Sequence, residues 1–264
     1  MGSQPRSGID AENYLTFFPD IPDETRGGRN VREGYARGWG LQFGDLRHKV
    51  KRDPLFREAH AAAAHRTILS DDNLKNLFLI MRFFLGRLPA GDIVEFGSFR
   101  GGTAIFMAVV ARHLYPETKV YSLDTFEGMP ETDSAIDAHE KGDFGGVDLR
   151  GLRSHARSLG LGNLTFVKGL FQDTAPHLLA RVRHLRLCHI DCDIASAVRY
   201  SYRACRAFMV PGGYIVFDDA TTSSCIGATA VVEDDVIRRD GLNSEQIFPH
   251  FVFRAHGFPR PGRR

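Results

Sequence analysis

The acidic residues of this chain gather where two apolar runs stop. One run ends in His189-Ile-Asp191-Cys192-Asp193 and another, further along, in Phe217-Asp218-Asp219. If the two runs are adjacent parallel strands, up to four carboxylates crowd together, which is costly unless a cation neutralises them. All-oxygen ligation suits Mg²⁺ or a similarly hard ion, whereas a zinc site would recruit His or Cys. Residues two apart on an extended strand share a face, so Asp191 and Asp193 can serve one site. Surface aspartates in turns are the competing reading. They account for one Asp-Asp pair and poorly for both clusters.

Two earlier segments carry a different chemistry. Glu95-Phe-Gly97-Ser98-Phe-Arg-Gly101-Gly102-Thr103 follows a short apolar run, and its glycines allow close approach of backbone to a ligand. Phe99 stands where a G-x-G-x-x-G dinucleotide loop needs its second glycine, and no Lys-Ser/Thr of a phosphate loop is present. The acidic Glu95 ahead of the turn fits a cofactor with a positively charged amino-acid tail better than one with a pyrophosphate. A purely structural glycine turn is the rival. Asp124, in Ser122-Leu-Asp-Thr-Phe-Glu-Gly-Met-Pro130, closes the next apolar run. A carboxylate there can accept two hydrogen bonds from a ribose diol. The alternative is a turn or helix-cap Asp.

For these groups to meet, the chain must alternate strands with helices, and its pattern predicts that it does. Strands are expected at 92–96, 119–123, 164–168, 185–190 and 214–217, with helices at 103–113, 151–159, 175–183, 196–209 and 227–239. Two short strands near 246–248 and 251–254, joined at Pro249-His250, add a closing hairpin with an antiparallel strand. Residues 53–88 read as helical, with Ser70-Asp71-Asp72 as an N-cap. Repeated β–α units imply a mostly parallel sheet covered on both faces, and ligands in such sheets bind beyond the carboxyl ends of the strands. Every candidate group named above falls at such an end.

The bulk properties narrow the class. With 264 residues, 43% hydrophobic and 25% charged, the chain suits one large α/β domain with an appendage. A net charge of +2 implies no general affinity for nucleic acid or membrane. The apolar stretch Leu77–Leu88 is far short of the roughly 20 residues that a membrane span needs, and no signal segment opens the chain. The four cysteines, Cys188, Cys192, Cys205 and Cys225, show no paired spacing, which reads as a cytoplasmic protein with reduced thiols.

With these pieces assembled, the sequence resembles the macrocin O-methyltransferase (TylF-type) family, metal-dependent enzymes that methylate sugar hydroxyls. The resemblance rests on Val94–Thr103, Asp124–Pro130, Val167–Thr174, His189–Asp193 and Pro211–Asp219, in that order, and spans roughly residues 69 to 240. It implies a class I methyltransferase-like Rossmann fold, α/β with a mostly parallel seven-stranded sheet, over 69–256. A helical or loop extension, 1–68, would cap the site or make a dimer contact, and 257–264 would be a basic tail. It implies S-adenosyl-L-methionine as cofactor, Mg²⁺ or Mn²⁺ as metal, a small-molecule or oligosaccharide sugar acceptor, and a homodimer or higher homo-oligomer.

Residue by residue, the resemblance assigns Gly97, Ser98 and Gly101 to the methionine end of S-adenosylmethionine and Asp124 to its ribose. Gly169, Leu170 and Phe171 would lie near the adenine, and Glu95, Thr103, Thr125, Phe126 and Asp191 beside the cofactor. Asp191, Asp218 and Asp219 look like the metal ligands and Asp193 like the general base, with His139 and His189 as rival bases. His139 lies in a polar stretch, 132–148, that could form a lid. Family members often carry Tyr at the position of Ala195 and a small residue at that of Cys192, which bears on substrate contacts and leaves the metal reading intact. Three other functions compete: a catechol or phenolic O-methyltransferase, a nicotinamide-dependent oxidoreductase (disfavoured by the first loop), and a non-catalytic nucleoside- or metal-binding scaffold.

Overall fold

The computed structural model describes residues 40–256, with Gly38 and the short segments Thr25–Arg26 and Arg29–Asn30, which pair antiparallel. Seven strands form the main sheet: β1 Asp92–Phe96, β2 Val120–Asp124, β3 Leu164–Lys168, β4 Leu185–Ile190, β5 Met209–Phe217, β6 Ser244–Gln246 and β7 Phe251–Arg254. Their order is β3-β2-β1-β4-β5-β7-β6. β1 to β5 run parallel, and β7 is antiparallel to both β5 and β6. The chain winds outward from β1 to β3, then restarts on the other side of β1 with β4. The crevice beyond β1 and β4 is therefore the topological switch point, where open α/β sheets bind ligands.

Strand alternation sends Ile93, Leu187, Tyr214 and Val216 to one face of the sheet and Val94, Phe96, Cys188, Ile215 and Phe217 to the other. The first face is covered by α1 Pro54–Ala63, α2 Asp71–Leu79, α3 Gly102–Leu114 and α4 Leu149–Ser158; the second by α5 Phe171–Val182, α6 Ala195–Cys205 and α7 Ile226–Val231. Gly102 to Ala111 of α3 are buried without interruption. A helix apolar all round must be enclosed, and α3 is: the sheet covers one side and α1 the other. Phe56 of α1 meets Phe78 and Phe106 edge-on at 5.4 and 5.7 Å. Leu41, Leu46 and Val50 join the same core, so residues 40–68 pack on the sheet-bearing body.

Local signals explain most boundaries. Asp53 accepts from the backbone N–H of Leu55, with Pro54 at the first helical position, and Ser70 accepts from that of Asn73, as its cap position predicts. Other boundaries shifted. α5 begins at Phe171 rather than at 175, because Phe171 packs edge-on against Phe96 of β1 at 5.2 Å. β5 begins at Met209, which pairs with Leu185 ahead of an irregularity at Pro211-Gly212-Gly213. The helix expected at 227–239 is α-helical to Val231 and continues as a π-helix to Arg239. No helix among the described residues is long and apolar enough to cross a membrane. Residues 1–24, 27–28, 31–37 and 39 of the expected extension, and the basic tail, 257–264, lie outside the described residues.

Candidate active site

A cavity of about 670 Å³ opens beyond the ends of β1, β2, β4 and β5 and is lined by Gly97, Ser98, Asp124, Asp191, Asp193, Asp218 and Asp219, among others. Sheet register puts them there. Phe96 pairs with Ile190, and Ile190 with Phe217, so Asp191 and Asp218 leave adjacent strands side by side. Their backbone N–H groups extend the ladders, Asp191 to Phe96 O and Asp218 to Ile190 O.

The turn after β1 is shaped by steric necessity. Gly97 has φ +90°, and a Cβ there would lie 1.6 Å from the carbonyl oxygen of Asp191. Only glycine allows β1 and β4 to stay this close where their ends diverge. Ser98 Oγ is buried with no hydrogen-bond partner although its residue lines the cavity. An orphaned hydroxyl at such a place fits a polar ligand.

Asp124 proves to be both a turn residue and a clamp. Its Oδ2 accepts from the backbone N–H groups of Ser98 (2.8 Å) and Phe99 (2.9 Å), and its Oδ1 from that of Phe126 (2.6 Å). The Thr125 hydroxyl spends its proton on Gly128 O at 2.7 Å. Of about four lone-pair sites on a carboxylate, three are therefore used. One lone-pair site of Asp124 is left for a further donor.

Asp191, Asp218 and Asp219 each present a carboxylate oxygen within 4.8 Å of the others. Burial, reinforced by the neighbouring carboxylates, pushes Asp191 and Asp219 well above the ordinary range. For Asp218 burial acts in the same direction, but the imidazoles of His189 and His250 outweigh it and hold the carboxyl well below that range. A divalent positive charge among these oxygens would relieve the repulsion, so the donor set fits a hard cation.

Asp218 is held from behind by a relay. Gln246 Nε2 donates to Asn76 Oδ1 (2.8 Å), and Asn76 Nδ2 donates to His250 Nδ1 (2.9 Å). That assigns the remaining ring proton to Nε2, which donates to Asp218 Oδ1 at 2.7 Å. Asn73 Nδ2 donates to the same oxygen at 2.7 Å. The sequence places His250 only in the connection between the two closing strands and gives Asn73 no role. Neither has a local motif, since both reach Asp218 through tertiary packing.

Asp193 has φ +57°, a strained value for a non-glycine residue. Its backbone N–H donates to Asp219 Oδ2 at 2.8 Å, and its own carboxylate turns to the other side of the cavity. There Oδ1 lies 3.5 Å from His139 Nε2 and accepts from the Cys225 thiol at 3.7 Å. Burial raises Asp193 above the ordinary carboxylate range, partly offset by His139. The stretch carrying His139 is tied to α6 by Asp137, which accepts from the Ala195 N–H at 2.8 Å.

The cavity brings together Gly97, Ser98, Asp124, Thr125, His139, Phe171, Asp191, Asp193, Asp218 and Asp219. Five expected cofactor contacts lie outside its lining. Glu95 points into the sheet interior, where it is wholly buried, accepts from Ser122 Oγ at 2.6 Å and meets His189 Nδ1 at 3.3 Å. Thr103 is buried against Thr67. Gly101 caps α3 beneath the turn, Phe126 packs edge-on to Phe166, and Gly169 is tied to Asp124 O. Phe126 and Gly169 sit one position from the lining residues Thr125 and Leu170, whereas Glu95, Gly101 and Thr103 lie further back in β1 and at the start of α3. His189 is buried beside Glu95 and Asp218. Burial alone would lower it, but those carboxylates raise it to about 9, so it serves the charge balance under the site.

A family model described as macrocin O-methyltransferase (TylF) matches residues 56–239. The chain belongs to the macrocin O-methyltransferase (TylF) family. The 8-demethyl-8-(2,3-dimethoxy-α-L-rhamnosyl)-tetracenomycin-C 4′-O-methyltransferase of Streptomyces olivaceus is 30% identical over 174 residues, 62% of this chain and 66% of the relative. The chain thus aligns with slightly less than two thirds of that protein. The fold is shared with the O-methyltransferase NovP (TM-score 0.61, 23% identity, 80% of this chain and 95% of that one). It is shared also with TomG from Streptomyces achromogenes, an O-methyltransferase solved in complex with SAM (TM-score 0.51, 17% identity, 79% and 92% covered). The match covers β1 to β5 and the helices between them, which carry all three aspartates of the carboxylate cluster. β6, β7 and His250 lie beyond it.

Proposed function

We propose that this TylF-family chain transfers the methyl group of S-adenosylmethionine to a sugar hydroxyl of a glycosylated natural product or polysaccharide, with Mg²⁺ or Mn²⁺ as essential metal. The convergence of Asp191, Asp218 and Asp219 at the mouth of the cavity carries this reading. Such a cluster suits an acceptor whose hydroxyl must be positioned and acidified, and the methyltransferase relatives favour that use over a metal-binding scaffold. The rhamnosyl acceptor named for the tetracenomycin relative supports a sugar over a phenol.

The residues fit the cofactor. Gly97 would give close backbone approach, the unpartnered Ser98 hydroxyl would serve the methionine end, Asp124 would offer one lone-pair site to the ribose, and Phe171 and Leu170 would offer apolar surface to the adenine. When bound, S-adenosylmethionine supplies an activated methyl on a good leaving group. A cation held by Asp191, Asp218 and Asp219 would supply positive charge that lowers the pKa of an adjacent hydroxyl. The chain's remaining task is to align the acceptor and take its proton. Asp193, made more basic by burial, accepts that proton, and His139 at 3.5 Å is placed to receive it next.

Asp193→Asn should keep cofactor and metal affinity while lowering turnover by about 10²- to 10⁴-fold, the span of a lost general base. Near-normal turnover would move the base role to His139. His250→Gln should weaken divalent-cation affinity about 10- to 100-fold, as loss of a partner behind a ligand does; unchanged affinity in a metal titration would make that relay purely structural. The acceptor is tested by following methyl transfer from S-adenosylmethionine to a panel of glycosides and simple catechols, with and without EDTA. EDTA-sensitive transfer to glycosides is expected. Transfer confined to catechols would overturn the sugar assignment.

A further inference from the structure

We propose that His139, Asp193 and Cys225 form a second cation site, specific for a thiophilic ion of the Zn²⁺ class, whose occupancy inhibits the enzyme. The three come from separate segments: the 132–148 stretch, the turn after β4 and the turn before α7. Their ligand atoms form a nearly regular triangle. Cys225 Sγ is 3.8 Å from His139 Nε2 and 3.7 Å from Asp193 Oδ1, and His139 Nε2 is 3.5 Å from Asp193 Oδ1. Tetrahedral zinc at ordinary bond lengths spaces its ligands by roughly 3.6 Å for S to N or O, and roughly 3.4 Å for N to O. The site thus lies within a few tenths of an ångström of zinc geometry.

A second feature points the same way. His139 Nδ1 faces Asp143 Oδ2 at 3.3 Å, the carboxylate–histidine arrangement that orients a zinc-bound imidazole and leaves Nε2 free to coordinate. Asp193 is fixed by its own N–H on Asp219, and the Phe144 ring packs on His139 with centroids 5.3 Å apart. All three residues line the cavity, so the fourth coordination position faces it. The soft donor here and the all-oxygen set of Asp191, Asp218 and Asp219 would sort two classes of ion between neighbouring sites. On binding, the thiol proton leaves to solvent and a sulfur–metal bond replaces the thiol–carboxylate contact. The bound ion occupies the Asp193 carboxylate. Inhibition rests on the role proposed for that carboxylate; binding does not.

The test titrates Co²⁺, as a spectroscopic stand-in for Zn²⁺, into the full chain saturated with Mg²⁺, using wild type, Cys225→Ser, His139→Ala and Asp219→Asn. A thiolate-to-cobalt charge-transfer band, displaced by Zn²⁺, is expected in wild type and in Asp219→Asn and absent in Cys225→Ser. Zn²⁺ affinity should fall more than about a hundredfold in Cys225→Ser and His139→Ala. Cys225→Ser should keep Mg²⁺-supported methyl transfer and lose sensitivity to Zn²⁺. A band that survives in Cys225→Ser, or its absence from wild type, would overturn the site. A band without inhibition would leave the site standing and remove Asp193 from the proposed mechanism.

Discussion

Asp191→Asn should abolish divalent-cation binding at the carboxylate cluster and lower turnover by about a thousandfold or more. The estimate follows from the several kcal/mol that a metal contributes when it stabilises developing charge. Asp191 sits between β1 and β5, beside both Asp218 and Asp219, and the amide cannot replace its charge although it keeps its shape. The metal-free variant should nevertheless melt higher than metal-free wild type at neutral pH. The carboxyl of Asp191 is raised in the folded chain, so its contribution to stability is lost as pH rises from the ordinary carboxylate range through the folded value. Removing the charge removes that cost and also relaxes Asp219. Melting curves with and without Mg²⁺ check both signs: loss of metal-induced stabilisation together with a gain in the metal-free state. A variant that still gained stability from Mg²⁺ as wild type does would place the ion elsewhere.

Gly97→Ala should destabilise the fold by more than about 4 kcal/mol, the range reached when backbone strain and overlap act together. The added methyl would sit 1.6 Å from Asp191 O, a backbone atom just past the end of β4, and the φ of +90° is unfavourable for alanine as well. Relief requires β1 and β4 to part at their carboxyl ends, which pulls Asp191 away from Asp218. Chemical denaturation should show the loss, and metal affinity should fall with it. A stable Gly97→Ala protein with normal metal binding would mean that the turn does not set the spacing of the two strands.

The fold was legible because its signals are local. Short apolar runs ending in Gly or Asp mark β1, β2, β4 and β5, and Ser70 and Asp53 mark helix starts. The carboxylate cluster was legible for the same reason: strand ends in a parallel sheet lie together, so Asp191 and Asp218 could be placed side by side before any register was known. What stayed hidden depends on packing between distant segments. His250 and Asn73 reach Asp218 from residues 32 and 145 positions away in the chain. Cys225 reaches Asp193 across 32 positions, and no spacing rule pairs it with His139. Glu95 lies within β1, bonded to Ser122 and His189 in the interior, whereas Gly97 and Ser98 lie beyond the strand end and line the cavity. Asp124 closes its own turn through Phe126 and holds the Ser98 and Phe99 amides, contacts that its position at the end of β2 does not reveal.

The most direct test of the central claim is a calorimetric titration of S-adenosylhomocysteine and Mg²⁺, singly and together, into wild type and Asp191→Asn. Cofactor-product binding in both proteins is expected, with Mg²⁺ binding in wild type alone. Failure of S-adenosylhomocysteine to bind wild type, with or without Mg²⁺, would contradict the account.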